Sequence, residues 1–364
     1  MPVATARKIA TAAAIVCLAA GLMWSKKKKD DETQTLQLPK ELPSAVTGET
    51  RRLTFHVTPL SAKGLLTQQI RDALKSLEHQ AGGDPILQIR AFVAGSGDLR
   101  RVRDLISETY TERRLPLPVA TVVQTGGLPL NGAQVVLEGV AVARKEVHAG
   151  GLAWISALPE TAESPLEPVT PLAQKSLDSL RDALKTAGSE PGAVLRITCF
   201  LSALDNLDAI RTRVAAEYPR AAPDYVQTQR EPPHAMAACE AVASAQTATA
   251  RLEFRNLPGG ARAALTGSPR VVLTSAQTSF GYQESDTRLA FERFGKILEE
   301  GGVSWKDAAL VRFYPLSEKM ADQVRKVRSG FFDSSKPPGA SMVLFEGLSS
   351  QDAGFAVDAV AVKD

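Results

Sequence analysis

The sequence predicts an α+β protein built from three tandem repeats. Its 364 residues exceed one domain of ordinary size. Three stretches share one order of features: an amphipathic helix, a short glycine-containing turn and a β run ending in an aromatic residue, then a second helix, a proline-containing loop and two closing strands. An acidic residue also recurs at one place in the last strand, in Leu-Glu138-Gly-Val-Ala-Val, Cys-Glu240-Ala-Val-Ala and Val-Asp358-Ala-Val-Ala-Val. Three unrelated domains would not share that position.

The first repeat has Leu66, Ile70, Leu74 and Leu77 at helical spacing before Gly82-Gly83. A strand over 86–93 carries Phe92. Leu99, Val102, Leu105 and Ile106 mark the second helix, and strands over 120–124 and 135–142 follow Pro116 and Pro118. The second repeat places Leu177, Leu180 and Leu184 before Gly188, then a strand over 194–201 with Phe200. Leu207, Ile210 and Val214 form its second helix, and strands over 225–229 and 237–243 follow Pro223. The third has Leu289, Phe291, Phe294, Ile297 and Leu298 before Gly301-Gly302, then a strand over 308–314. Val324, Val327 and Phe331 continue it, with strands over 340–345 and 355–362 after Pro337-Pro338. The second and third repeats also open with hairpin-like segments, 152–157 and 271–276. The first has only Leu53 to Val57.

The N-terminus differs from the rest. Arg7 and Lys8 precede a charge-free run from Ile9 to Trp24, and Lys26 to Lys29 follow. This reads as a retained single anchor in the inner membrane through residues 9–24. The alternative is an exported protein cleaved after a signal peptide at the small residues Ala19-Ala20-Gly21. Positive charge on both flanks leaves the membrane side open. The organisation is thus 1–29 anchor or signal, 30–50 linker, and repeats over 51–147, 148–249 and 250–364.

Composition excludes several functions. Hydrophobic residues at 44% and charged residues at 23% describe an ordinary globular chain. Lys+Arg of 43 against Asp+Glu of 40 gives a net charge of +3, and aromatics are 5%, so no nucleic-acid partner is expected. Cys17 lies in the N-terminal run, and Cys199 and Cys239 sit on strands that read as buried, so no disulfide framework is expected. His56, His79, His148 and His234 lack ligand spacing, and no metal site follows from them. Gly95-Ser96-Gly97 lacks the third glycine of a dinucleotide loop, and no cofactor is expected.

Three motifs carry a family resemblance. They are Leu273-Thr274-Ser275-Ala276-Gln277, then Thr198-Cys199-Phe200-Leu201 followed by Leu204-Asp205-Asn206-Leu207, and Asp358-Ala359-Val360-Ala361-Val362. In their repeated order the chain resembles the YjgF/RidA family over residues 51–364. The resemblance implies chorismate-mutase-like units with helices on one sheet face. Relatives bury the other face by forming homotrimers, so three fused copies imply an intramolecular pseudo-trimer, a monomer with internal threefold pseudo-symmetry.

The resemblance also implies an activity, 2-iminobutanoate/2-iminopropanoate deaminase, and here the chain departs from the pattern. The family holds the substrate carboxylate with an arginine two residues after the loop proline. Those positions are Ala120, Tyr225 and Ala340. The glutamate two residues before the retained acid is replaced by Val136, Ala238 and Ala356. Ser156 and Ser275 are candidates for the family's site serine, and Arg114 and Arg230 are nearby arginines that could substitute. Glu138, Glu240 and Asp358 are expected to be structural partners. The expectation is a degenerate, membrane-tethered protein that binds a small metabolite or a protein; the alternative is an imine deaminase with a relocated site.

Overall fold

In the computed structural model, which describes residues 38–364 apart from 96, 158, 248–250 and 258–261, each repeat lays two helices across one face of a sheet. The expected anchor lies outside the described residues. Among those described, no helix is long and apolar enough to cross a membrane.

The chain enters with β1 (Ala45–Glu49). The first repeat is β2 (Leu53–Val57), α1 (Leu66–Gln80), β3 (Ile86–Ala94), α2 (Leu99–Glu112), β4 (Val119–Thr125) and β5 (Val135–Val142). The second is β6 (Leu152–Ile155), β7 (Glu160–Thr161), α3 (Val169–Thr186), β8 (Val194–Leu201), α4 (Leu207–Glu217), β9 (Ala222–Gln227) and β10 (Met236–Ser244). β11 (Glu253–Asn256) and β12 (Arg262–Thr266) precede the third, which is β13 (Arg270–Thr274), β14 (Gln277–Phe280), α5 (Glu284–Glu300), β15 (Ala308–Pro315), α6 (Glu318–Arg328), β16 (Gly339–Met342), β17 (Gly347–Leu348) and β18 (Ala353–Lys363).

The helices form where the apolar stripes predict. Ile70, Leu74 and Leu77 bury one face of α1. Asp98 starts α2 by accepting from the backbone N–H of Arg100 and Arg101 at 3.0 and 3.4 Å. Gly139 on β5 lets α1 approach closely; a Cβ there would lie 2.6 Å from Leu77 Cδ1. In each repeat the first long strand (β3, β8, β15) runs parallel to the loop strand (β4, β9, β16) and antiparallel to the last (β5, β10, β18).

Four details differ from the sequence expectation. Residues 45–49, expected in the linker, form β1, which pairs antiparallel with β13 of the third repeat. β11 and β12 fall within 250–364, yet they pair with each other and extend the second repeat's sheet beside β6. The segments expected as hairpins are interrupted strands instead. β13 and β14 both run along β18, and β6 and β7 both run along β10. Finally, Cys199 and Cys239 are joined by a disulfide. They stand directly opposite each other on β8 and β10 in the second repeat's core, a pairing set by register across a sequence separation of 40.

The sheet faces away from the helices meet one another. Phe92, Phe200 and Tyr314, the recurring aromatic positions, gather with Phe345 in one apolar cluster. Phe92 and Phe200 lie 6.2 Å apart, and Tyr314 lies 5.2 Å from Phe345. Phe55, Trp154, Val271 and Leu310 belong to a second cluster drawn from all three repeats. Burial of these faces removes apolar surface that would otherwise meet water.

Candidate functional site

Strand alternation places the three recurring acids between these two clusters. On β5, Val136 joins the first cluster and Val140 the second, with Glu138 between them; Glu240 and Asp358 sit likewise on β10 and β18. Each acid is at least 97% buried. Three buried arginines face them. Arg90 reaches Glu138 at 3.0 Å and Glu240 at 3.3 Å, Arg196 reaches Glu138 at 3.4 Å, and Arg312 reaches Glu240 at 3.0 Å and Asp358 at 3.3 Å. Most of these pairs join different repeats. Thr198 donates to Glu138, Ser341 to Glu240 at 2.6 Å and Tyr314 to Asp358 at 2.7 Å.

Burial disfavours ionised Glu240, but Arg312 and Arg90 outweigh it and hold its carboxyl down at about 2. Glu138 is lowered in the same way, against burial, by Arg196 and Arg90. These acids are thus ion-paired inside the protein. Sequence reasoning missed the arginines. The available signal was one arginine as the single charged residue of each first long strand.

A fourth acid touches this layer. Asp224 on β9 is 4% exposed. Its Oδ1 accepts from the Tyr225 N–H at 2.8 Å, and its Oδ2 has no partner. Burial, then the nearby Glu138, push its carboxyl up to about 7.

The loop-strand positions singled out from the sequence fall where the loop strand of one repeat meets the opening strand of another. The register corrects one assignment. Ile89 pairs with Ala120 and Val311 with Ala340, while Ile197, the residue at the same level in the second repeat, pairs with Pro223. Pro223, rather than Tyr225, therefore stands level with the two alanines; the loop before β9 is offset by two residues. None of the three carries a guanidinium.

The three junctions differ. Between the first and second repeats, Val57, Thr58, Pro223, Asp224 and Tyr225 line a cleft of about 430 Å³. Between the second and third, Ser156, Arg262, Arg328, Pro338 and Ala340 line one of about 380 Å³. Arg262 donates to the Pro337 carbonyl at 3.4 Å, and Arg328 lies 5.8 Å over the Phe313 ring. Burial, then repulsion from Arg325 and Arg262, lower the Arg328 pKa. Neither Arg262 nor Arg328 has an acidic partner among the described residues. At the junction of the third and first repeats the chain's own residues 39–44 lie across α2. Leu42 is buried in the first repeat's core, and Lys40 N–H donates to Thr111 Oγ1 at 3.3 Å. Ser275 donates to the Ser44 carbonyl through its N–H at 2.9 Å and its Oγ at 3.3 Å.

The candidates therefore separate. Ser156 and Ala340 share one cleft, and Tyr225 lines another, with Arg211 5.9 Å over its ring. Ala120 is buried in a helix-side core, and Ser275 is bound to residue 44. Arg114 is an exposed turn residue with φ 56°, and Arg230 pairs with Glu346 at 3.2 Å. Neither lines a junction described above. Arg262 was missed because it lies far from the loop prolines in sequence, and Arg328 because it closes the preceding helix rather than lying in the loop.

No family model and no curated protein matches the chain. Similar solved structures include a YjgF family member from Mycobacterium tuberculosis, 23% identical, covering 26% of this chain and 79% of that one with a TM-score of 0.24. Escherichia coli TdcF with bound serine is 23% identical over 27% of this chain and 83% of its own, TM-score 0.24. A YjgF family protein from Neisseria meningitidis is 14% identical over 32% and 98%, TM-score 0.25. Each of these structures covers about a quarter to a third of this chain.

Proposed function

We propose that the chain binds a small carboxylate-bearing metabolite in the cleft between the second and third repeats, without the family's arginine-dependent imine deaminase chemistry. The observation that carries this is the pair Arg262 and Arg328, two half-buried guanidiniums with no acidic partner among the described residues. Each offers a planar fork suited to a carboxylate. The cleft's described lining holds no carboxylate, imidazole or thiol to move a proton, which supports binding rather than turnover. Calorimetric titration with 2-oxobutanoate is expected to show one site per chain, weakened by Arg262→Met and Arg328→Met. Release of ammonia from freshly generated 2-aminoacrylate above the buffer rate would favour the deaminase alternative.

The three repeats form an intramolecular pseudo-trimer in this proposal. The two shared apolar clusters and the pairing of β1 with the third repeat's sheet support it. Light scattering on residues 39–364 should give the mass of one chain; three times that mass overturns the reading. Residues 9–24 tether this body to the inner membrane. The Cys199–Cys239 disulfide supports an oxidising compartment for the repeats. Full-length protein that stays soluble after cell fractionation removes the tether.

A further inference from the structure

We infer that the cleft between the first and second repeats is a binding site for a small primary ammonium ion on an apolar body. Asp224 is the reason. It lines this cleft, is 4% exposed, and its Oδ2 has no hydrogen-bond partner. A buried carboxylate oxygen without a donor is costly, and buried charges are ordinarily paired. The nearby cations do not pair with it. Arg90 and Arg196 are engaged by Glu138 and Glu240 at 3.0 to 3.4 Å, and no ion pair joins either to Asp224.

The other walls define the ligand. Leu60, Pro129, Val136, Pro219 and Pro223 are apolar, and Tyr225 adds an aromatic ring. Arg211, the basic residue among those lining the cleft, sits 3.6 Å from Asp208 and over the Tyr225 ring, so its charge is already balanced. A ligand carboxylate here would face Asp224 with like charge. An ammonium group supplies what Asp224 lacks, a positive donor, and a short alkyl body matches the walls. The carboxyl, raised to about 7 by burial and Glu138, ionises when a cation arrives. This site is independent of Arg262 and Arg328, and its polarity is opposite to theirs.

Titration of the full chain in detergent at pH 8 with n-butylammonium tests the idea. Saturable binding of one ion per chain is expected, with 1-butanol and butanoate failing to compete. Asp224→Asn should weaken binding by at least about tenfold, the loss of one charge-assisted hydrogen bond. Leu60→Trp should block the cleft with Asp224 intact, and it decides the question if the Asn variant does not fold. Arg262→Met should leave ammonium binding unchanged, which separates this site from the carboxylate cleft. Absence of binding at millimolar ion, or binding unchanged in a folded Asp224→Asn or in Leu60→Trp, overturns the proposal.

Discussion

Asp224→Asn should stabilise the protein at alkaline pH and do so less and less as pH falls. Asp224 carries its unpaired Oδ2 at 4% exposure. Its carboxyl rises from 3.8 in the unfolded chain to about 7 in the fold. The folded state therefore binds the extra proton between these values, and wild-type stability falls as pH rises from about 4 to 7. A shift of roughly three pK steps at about 1.36 kcal/mol each amounts to about 4 kcal/mol by pH 8. The facing groups do not confound this window. Glu138 on β5 stays ionised because its carboxyl is lowered, Arg90 and Arg196 stay charged, and burial pushes the Tyr225 hydroxyl up to about 12. Asparagine keeps an acceptor for the Tyr225 N–H but carries no charge; any cost of its extra donor is the same at every pH. Urea unfolding of both proteins from pH 5 to 8.5 reads the difference. The gap should widen by a few kcal/mol toward pH 8. Parallel stability curves would refute the argument, because they would mean that Asp224 titrates alike in both states.

Three further perturbations follow from the same geometry. Glu240→Gln removes the buried charge shared by Arg90 and Arg312, leaving Arg90 with Glu138 and Arg312 with Asp358, and should cost about 3 kcal/mol in equilibrium unfolding; wild type should likewise lose the contribution of Glu240 as pH falls from about 4.5 toward its folded value of about 2. Reduction of the Cys199–Cys239 disulfide opens a loop across a sequence separation of 40, worth about 4 kcal/mol by chain entropy, and should lower the melting temperature in thiol-containing buffer. Leu42→Ala removes the anchor of residues 39–44 and should cost about 2–3 kcal/mol, with faster amide exchange in that segment. An unchanged melting curve for any of these would remove the contact invoked.

Much of the fold was legible because its signals are local. Ile70, Leu74 and Leu77 bury the α1 face at the spacing that predicts it, and β5 spans the eight residues expected of it. Phe92, Phe200 and Tyr314 recur at one place per repeat and meet in one cluster. The clefts were less legible. Pro223 displaced Tyr225 because an offset of two residues in a loop is invisible until the strands pair. Arg262 and Arg328 converge from β12 and α6, which have no neighbouring motif to connect them. The disulfide was missed because burial of two strands does not reveal that Cys199 and Cys239 face each other.

Three α+β repeats, an acid in each last strand and loop strands without arginine can all be read from the string of residues. Periodicity and composition act within a dozen residues, so they survive in the one-dimensional string. The tertiary structure decided which acids the arginines meet, which junction the chain's own residue 42 covers, and which cleft holds an unpaired carboxylate. Those outcomes depend on electrostatics and packing between residues as far apart as Arg90 and Glu240, and only the assembled sheets bring such groups within a few ångströms.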